Sequence, residues 1–403
     1  MFKALVKKLD SVADEWLPLA QLHDEKVIAW ANLHGWNASS TEHQHLLIRQ
    51  ALFNALIRQT VPAVTPHVFS TPLDSLGIEA PHSLANVVHE EEYKVPTATF
   101  NFWGELYGAL IPQPQRRRIG QFWTNEQIAE WMVAWLLQSR PGGLVDIGCG
   151  AGNFLLKAAQ YQGKSRTAPK LYGLDLSPVL LNATLAAFLQ QDKDKPGVMP
   201  ILAAQNYLAT PPLANIDAVI CNPPYTRHHH IAPEVKDELQ AFFKTRFYFD
   251  VSRQATLAFY FLLKLIAEMP EGAQAAVIVQ MEVLDARYGQ SAKRALCQHT
   301  SLSAIIHFSP QLNAFHKVDV GASILLFRKG YTKNNLVSHL TLNTLPTTDE
   351  LLACLEVKHS GKPDCAFGSL MIQPQGELLD VPKWFSIATP KRTNAAWEST
   401  GLV

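Results

Sequence analysis

Residues 144–155 read Leu144-Val145-Asp146-Ile147-Gly148-Cys149-Gly150-Ala151-Gly152-Asn153-Phe154-Leu155: a short apolar run, three glycines at alternate positions, then a helix-forming segment. Glycines at 148, 150 and 152 let the backbone turn sharply and come close to a ligand before a helix starts near Asn153. A strand that runs through such a turn into a helix is the opening unit of a doubly wound α/β fold. The next apolar run, Leu171-Tyr172-Gly173-Leu174-Asp175, ends in an acid about 20 residues on, where an acceptor for two ribose hydroxyls is expected. Ser177-Pro178 then supplies an N-cap and a first-turn proline for a helix over 179–190.

The same rhythm runs on. Residues 120–330 alternate strand-like runs near 144, 171, 201, 216, 275, 303 and 322 with helical segments. This predicts a doubly wound, mostly parallel sheet with helices on both faces. The runs 304–308 and 322–327 have no helix between them, which predicts an antiparallel hairpin. Ligand is expected at the carboxyl ends of the first and fourth strands, where strand order reverses. Residues 1–100 are mostly helical in pattern, with candidates over 11–33 and 41–59, and 62–81 reads as a connecting loop rich in Pro, Thr and Ser. Residues 331–403 are Pro- and Thr-rich with few periodic segments. Three regions follow: a helical N-terminal region (1–100), an α/β body (101–330) and a small C-terminal extension (331–403).

The fourth strand, Ile216-Asp217-Ala218-Val219-Ile220-Cys221, ends in Asn222-Pro223-Pro224-Tyr225. The Asn side-chain oxygen and the first Pro carbonyl can each accept one hydrogen from a planar NH2 group, and the Tyr ring offers a stacking face. Prolines fix φ and lack an N–H, so the corner is rigid and rich in acceptors. The upstream spacing is Gly-x-Gly-x-Gly rather than the Gly-x-Gly-x-x-Gly of dinucleotide sites, and no pyrophosphate needs the helix N-terminus. A nucleoside cofactor such as S-adenosylmethionine fits better than NAD. Together the two motifs point to an amino-group methyltransferase.

With these motifs in this order, the chain resembles the gamma-class N6-adenine DNA methyltransferases, including those within type IIG restriction-modification enzymes. The family's methionine-side motif is similar to Gly120-Gln121-Phe122-Trp123-Thr124-Asn125, and its lead-in to Phe102-Trp103-Gly104-Glu105-Leu106-Tyr107 through Arg116-Arg117-Arg118. Thr124 with Gln127 reads as a capping box for the helix that follows. The resemblance implies a Rossmann-like class I S-adenosylmethionine-dependent methyltransferase sheet. It implies catalytic roles for Asn222, Pro223, Pro224 and Tyr225, and stacking of a flipped adenine between Tyr225 and Phe315 in the Ala314–Lys317 loop. The cofactor would lie on Phe122, Thr124, Asp146, Gly148, Gly150, Gly152, Asp175 and Asn206. Two departures stand out: Thr124-Asn125 replaces the usual Thr-Pro, and neutral Asn206 stands where the family often has an acid. Double-stranded DNA is the implied partner, with a restriction or specificity subunit as a further one, because 331–403 is short for a full recognition domain. A protein glutamine or an RNA adenine presents the same NH2 group, and a non-catalytic DNA-binding subunit would keep the same fold.

Composition bounds these readings. The 403 residues, 47% of them hydrophobic, can bury one large core and a smaller satellite. No apolar run reaches membrane-spanning length, and the N-terminus lacks a signal-peptide pattern. Five scattered cysteines show no paired or metal spacing, which reads as a reduced cytoplasmic protein without a resident metal. Formal net charge is zero, so nucleic-acid affinity would rest on local patches at 116–118, 226–230 and 244–246. His228, His229 and His230 are adjacent and converge poorly on one ion. Asp74 with Glu92-Tyr93-Lys94 weakly resembles a nuclease metal site, but no strands carry the acids.

Overall fold

The structure is a computed structural model. It describes residues 2–20, 22–34, 36–61, 69–79, 100–118, 120–121, 124–162, 169–190, 199–210, 215–225, 231–280, 284–309, 312, 321–357 and 359–384.

Nine strands form one sheet: β1 (Gly143–Ile147), β2 (Lys170–Asp175), β3 (Ile201–Ala204), β4 (Ala218–Cys221), β5 (Gln274–Gln280), β6 (Thr300–Phe308), β7 (Ala322–Lys329), β8 (Leu336–Leu342) and β9 (Gly368–Pro374). Their spatial order is β3-β2-β1-β4-β5-β7-β6-β8-β9. The β1–β2, β2–β3, β1–β4 and β4–β5 pairs are parallel. β7 runs antiparallel between β5 and β6, which makes the hairpin that the absence of a helix between residues 308 and 322 predicts. All seven strand-like runs are strands. Strand order turns back between β1 and β4, so a crevice opens at their carboxyl ends.

Alternation along each strand sorts the core into two layers. Leu144, Ile220, Ile278, Ile306 and Leu326 face one cluster. Val145, Val219, Val277, Ile305 and Leu325 face the other. β1 and β4 are buried at every position, as strands covered on both faces must be. On the first face lie α1 (Phe2–Trp16), α2 (Glu25–Leu33), α3 (Thr41–Thr60), α4 (Phe102–Leu110) and, after the short α5 (Gln113–Arg118), α6 (Glu126–Leu137), α7 (Asn153–Gln162) and α8 (Pro178–Gln190). The second face is covered by α9 (Pro233–Phe247), α10 (Leu257–Glu268) and α11 (Gln290–His299). Among the described residues no helix is long and apolar enough to cross a membrane.

Two details differ from the sequence pattern. The helix expected over 11–33 is two helices: α1 ends at Trp16, just ahead of Pro18, which has no N–H to carry the ladder on, and Asp24 caps a fresh start by accepting from the Lys26 and Val27 amides. The sheet also continues beyond Lys329, where β8 joins β6 in parallel and β9 joins β8 antiparallel. α12 (Thr348–Leu355) connects them.

The N-terminal helices share the first-face core and meet it through buried polar bonds. Asn182 on α8 donates to Asn54 Oδ1 at 2.8 Å, and Gln50 links the Trp30 indole to the Tyr107 hydroxyl. Asp74 closes a capping box with Thr71 and pairs with Arg58 at 2.9 Å. Glu92-Tyr93-Lys94 lies outside the described residues.

Candidate functional site

The turn after β1 takes its shape from left-handed backbone. Gly148 has φ 78° and Gly150 φ 55°, where a side chain is strained. A Cβ at either would meet no atom of a described residue within 4 Å, so among these residues this side of the turn is open. The other side is anchored: the amides of Gly148 and Cys149 both donate to Leu174 O, at 2.8 and 2.9 Å. Gly152 has a different task, since a Cβ there would lie 2.6 Å from Thr184 Cγ2 on α8. Its absence of a side chain lets α8 press against the turn.

Asp146 sits one residue before the end of β1, fully buried, and neither carboxylate oxygen accepts a hydrogen bond from a described residue. Burial, reinforced by the Asp175 carboxylate, pushes its pKa well above the ordinary range. A buried carboxyl without partners is unfavourable and marks a place built for a donor or a cation. Asp175, at the end of β2, is better provided. Its Oδ2 accepts from Gly150 N and its Oδ1 from Ser177 N, both at 2.8 Å. Burial raises its pKa, against these backbone bonds, which lower it. Each oxygen retains a second lone pair for a hydroxyl. Asn206 follows β3, exposed, and caps a short 3-10 turn by accepting from Leu208 N at 3.1 Å. The Gln205 amide donates to Asp175 O, which ties this end to β2.

β4 delivers Asn222-Pro223-Pro224-Tyr225 beside that turn. The register pairs Asp146 with Ile220, and Cys221 Sγ donates to Ile147 O at 2.9 Å. The glycine turn and the proline corner therefore leave neighbouring parallel strands at the same end. The Asn222 amide is held at both ends: its Nδ2 donates to Thr124 Oγ1 at 3.0 Å, and its Oδ1 accepts from the Tyr225 hydroxyl at 2.7 Å. Burial, with Cys221 close by, pushes the Tyr225 phenol well above its usual pKa, so the hydroxyl stays protonated and donates.

Thr124 does not cap the helix after it. Asn125 does, accepting from Gln127 N at 2.9 Å, while the Thr124 hydroxyl is turned inward to Asn222. The expected box at Thr124 and Gln127 is corrected accordingly. Phe122, Phe315 and His228–His230 lie outside the described residues, as do the side chains of Arg117 and Arg118. The basic run 244–246 lies away from the cleft: α9 carries its last turn to the opposite end of the sheet, where Phe247 meets His299 just before β6, ring centroids 5.0 Å apart. Lys244 there pairs with Asp250 in solvent.

Two further residues belong to this neighbourhood. Asn101 caps α4, accepting from Gly104 N, and donates through Nδ2 to Ala151 O at 2.8 Å and to Asn153 Oδ1 at 2.7 Å. Asn153 in turn reaches Thr124 O at 3.3 Å. A Cβ on Gly104 would lie 2.9 Å from Asn101 Nδ2, so the lead-in helix touches the turn only because residue 104 is glycine. In the sequence, an Asn just ahead of the apolar run 102–107 signals the cap, but nothing signals its long-range partners.

Sheet order and the motifs at its carboxyl ends define a class I S-adenosylmethionine-dependent methyltransferase fold. Residues 101–345 match the N-6 DNA Methylase family, and the chain belongs to it. It is 31% identical over 222 residues to the type II methyltransferase M.XamI of Xanthomonas campestris pv. amaranthicola, covering 53% of this chain and 40% of that protein. It is 24% identical over 251 residues to the type II methyltransferase M.AccI of Acinetobacter calcoaceticus, covering 61% of this chain and 42% of that one. The matched chain thus spans about two fifths of these curated relatives. Among solved structures, it is similar to the methyltransferase subunit of a Streptococcus thermophilus type I restriction-modification system, with TM-score 0.57, 15% identity, and 94% and 97% of the two chains covered. It is also similar to the type IIG restriction endonuclease BpuSI, with TM-score 0.61, 15% identity, and 96% of this chain and 46% of that one covered.

Proposed function

We propose that this chain is a site-specific DNA methyltransferase that transfers a methyl group from S-adenosylmethionine to the N6 amino group of adenine within a restriction-modification system. The observation that carries the reading is the adjacency of two unlike loops at the switch between β1 and β4. One is open and borders an unpartnered carboxylate; the other presents an oriented amide.

The residues fit the cofactor. Asp146 offers a buried anion for its ammonium group, Asp175 has lone pairs for ribose hydroxyls, and the open side of Gly148 and Gly150 leaves room for the ligand. Asn206 can turn its amide oxygen towards an adenine amino group at the cost of a weak cap. The family resemblance assigns the methionine side to the segment of Phe122 and Thr124, where the Thr124 hydroxyl itself is turned to Asn222. When bound, S-adenosylmethionine supplies a methyl activated by its sulfonium.

The chain's own work is to present the nucleophile. An exocyclic amine is weakly nucleophilic because its lone pair is conjugated with the ring. Asn222 Oδ1 and the Pro223 carbonyl accept its two hydrogens, which favours a pyramidal nitrogen and frees the lone pair. Pro224 keeps the corner rigid, and holding the amine in line is itself a large part of catalysis. The target base is flipped out of the duplex. Tyr225 stacks on it, at about 1–3 kcal/mol per stacked base; the family resemblance assigns the second face to Phe315. Double-stranded DNA in the cytoplasm is the substrate. Base selection falls to residues outside the catalytic body, 331–403 included, or to a specificity subunit.

Mapping modified adenines across the genome of a host expressing the protein tests this. Methyl-adenine at one consensus sequence is expected, and its loss in Asn222→Ala. A host genome without modified adenine, together with methylated protein glutamine or RNA, would move the assignment to those acceptors.

A further inference from the structure

We infer that Thr124 is a positioning residue for methyl transfer: its hydroxyl holds the Asn222 amide with Oδ1 turned towards the target amine. The inference deepens the reading above and rests on it.

A carboxamide is nearly symmetric in shape but opposite in polarity at its two ends. Half a turn about its last bond would present N–H groups to an incoming NH2, donor against donor, and the corner would lose its acceptor. The barrier against that turn must come from neighbours. Thr124 is buried, 8% exposed, with Oγ1 3.0 Å from Asn222 Nδ2. The tasks that would otherwise explain a Thr before a helix are absent, because Asn125 makes the cap. At the far end of the amide the Tyr225 hydroxyl donates to Oδ1, so the amide is held at both ends.

Thr124 is itself mounted on the cofactor side. Its carbonyl accepts from Asn153 Nδ2, Asn153 Oδ1 accepts from Asn101, and Asn101 also holds Ala151 O within the glycine turn. One chain of bonds therefore runs from the turn that borders the cofactor to the amide that receives the amine. The hydroxyl of Thr124 is its last link.

Thr124→Val keeps the shape and removes the acceptor; Thr124→Ser restores it; Thr124→Ala adds no bulk and serves should the Val variant not fold. Purified proteins are assayed for methyl incorporation from labelled S-adenosylmethionine into genomic DNA of a host lacking adenine methylation, and for cofactor binding by calorimetry. Methylation by the unaltered protein is the control: without it the proposed function itself fails. Given that activity, Val or Ala is expected to lower kcat about 10- to 100-fold with the cofactor Kd changed less than about threefold, and Ser to restore kcat. An unchanged kcat in Val and Ala overturns the inference. So does loss of cofactor binding in proportion to kcat, which would make Thr124 a cofactor ligand, or failure of Ser to restore activity.

Discussion

The ends of β1 and β4 lie side by side yet solve opposite problems. Among the described residues, β1 ends in a buried carboxylate with no hydrogen-bond partner and in glycines whose open side meets no atom within 4 Å. β4 ends in an amide with a hydroxyl at each end. The first end is left unsatisfied and gains most from a ligand. On the proposed function, the second is assembled before any substrate arrives, so little ordering remains to oppose binding. A charged, mobile cofactor is best met by an unpaired charge; a neutral, weakly nucleophilic amine is best met by fixed acceptors.

Replacing Asn222 with Ala breaks the prepared end. Methyl transfer is expected to fall about 100- to 1,000-fold, the scale for losing one preorganised hydrogen-bonding group, while calorimetry still detects cofactor binding. Equal loss of both would make the corner structural.

Asp146→Asn neutralises the unsatisfied end at constant shape. Cofactor affinity should drop about 10- to 100-fold, as for a lost charge-assisted bond. The unliganded variant should melt higher, by about 1 °C per kcal/mol recovered for a chain of this length. The sign follows from linkage. The folded pKa lies above the unfolded value, so between the two the folded state holds a proton that the unfolded chain has released. Wild-type stability therefore gains from this group as pH falls through the raised pKa, and the gap between wild type and Asp146→Asn should close in acid. A gap that widens on acidification would show that Asp146 is ion-paired instead.

Tyr225 separates stacking from the hydroxyl bond. Tyr225→Ala should raise the DNA KM about tenfold or more, whereas Tyr225→Phe keeps the ring and should stay within about threefold. A Phe variant as poor as Ala would put the hydroxyl, not the ring, at the centre of the corner.

The smallest expected effect is on cofactor affinity with pH. An ammonium group prefers ionised Asp146, so affinity should weaken a few-fold as pH is lowered through the raised pKa, and Asp146→Asn should abolish the trend. Calorimetry at stepped pH values measures it.

Seven strands, the β6–β7 hairpin and the location of both loops were legible in the chain because those strands are short, mostly apolar runs set between helical segments and turn residues. β8 was not, since Ser338, His339 and Thr341 interrupt its apolar pattern although all three are buried. α1 and α2 merged into one pattern because their apolar spacing continues across Pro18. Asp146 was legible as an acid beside the glycine turn, but that no described residue donates to it was not. Asn101 and Asn153 were invisible as a pair, 52 positions apart.

By itself, then, the sequence determined where seven of the nine strands fall, where they turn and which chemical groups stand at each turn, since these depend on short-range sterics and on burial of alternate side chains. Only the tertiary structure decided the register of β1 against β4, that Thr124 serves Asn222 rather than its own helix, and that no described residue pairs with Asp146. Those outcomes depend on long-range packing, where a hydroxyl or carboxylate takes whichever partner the assembled sheet brings within reach.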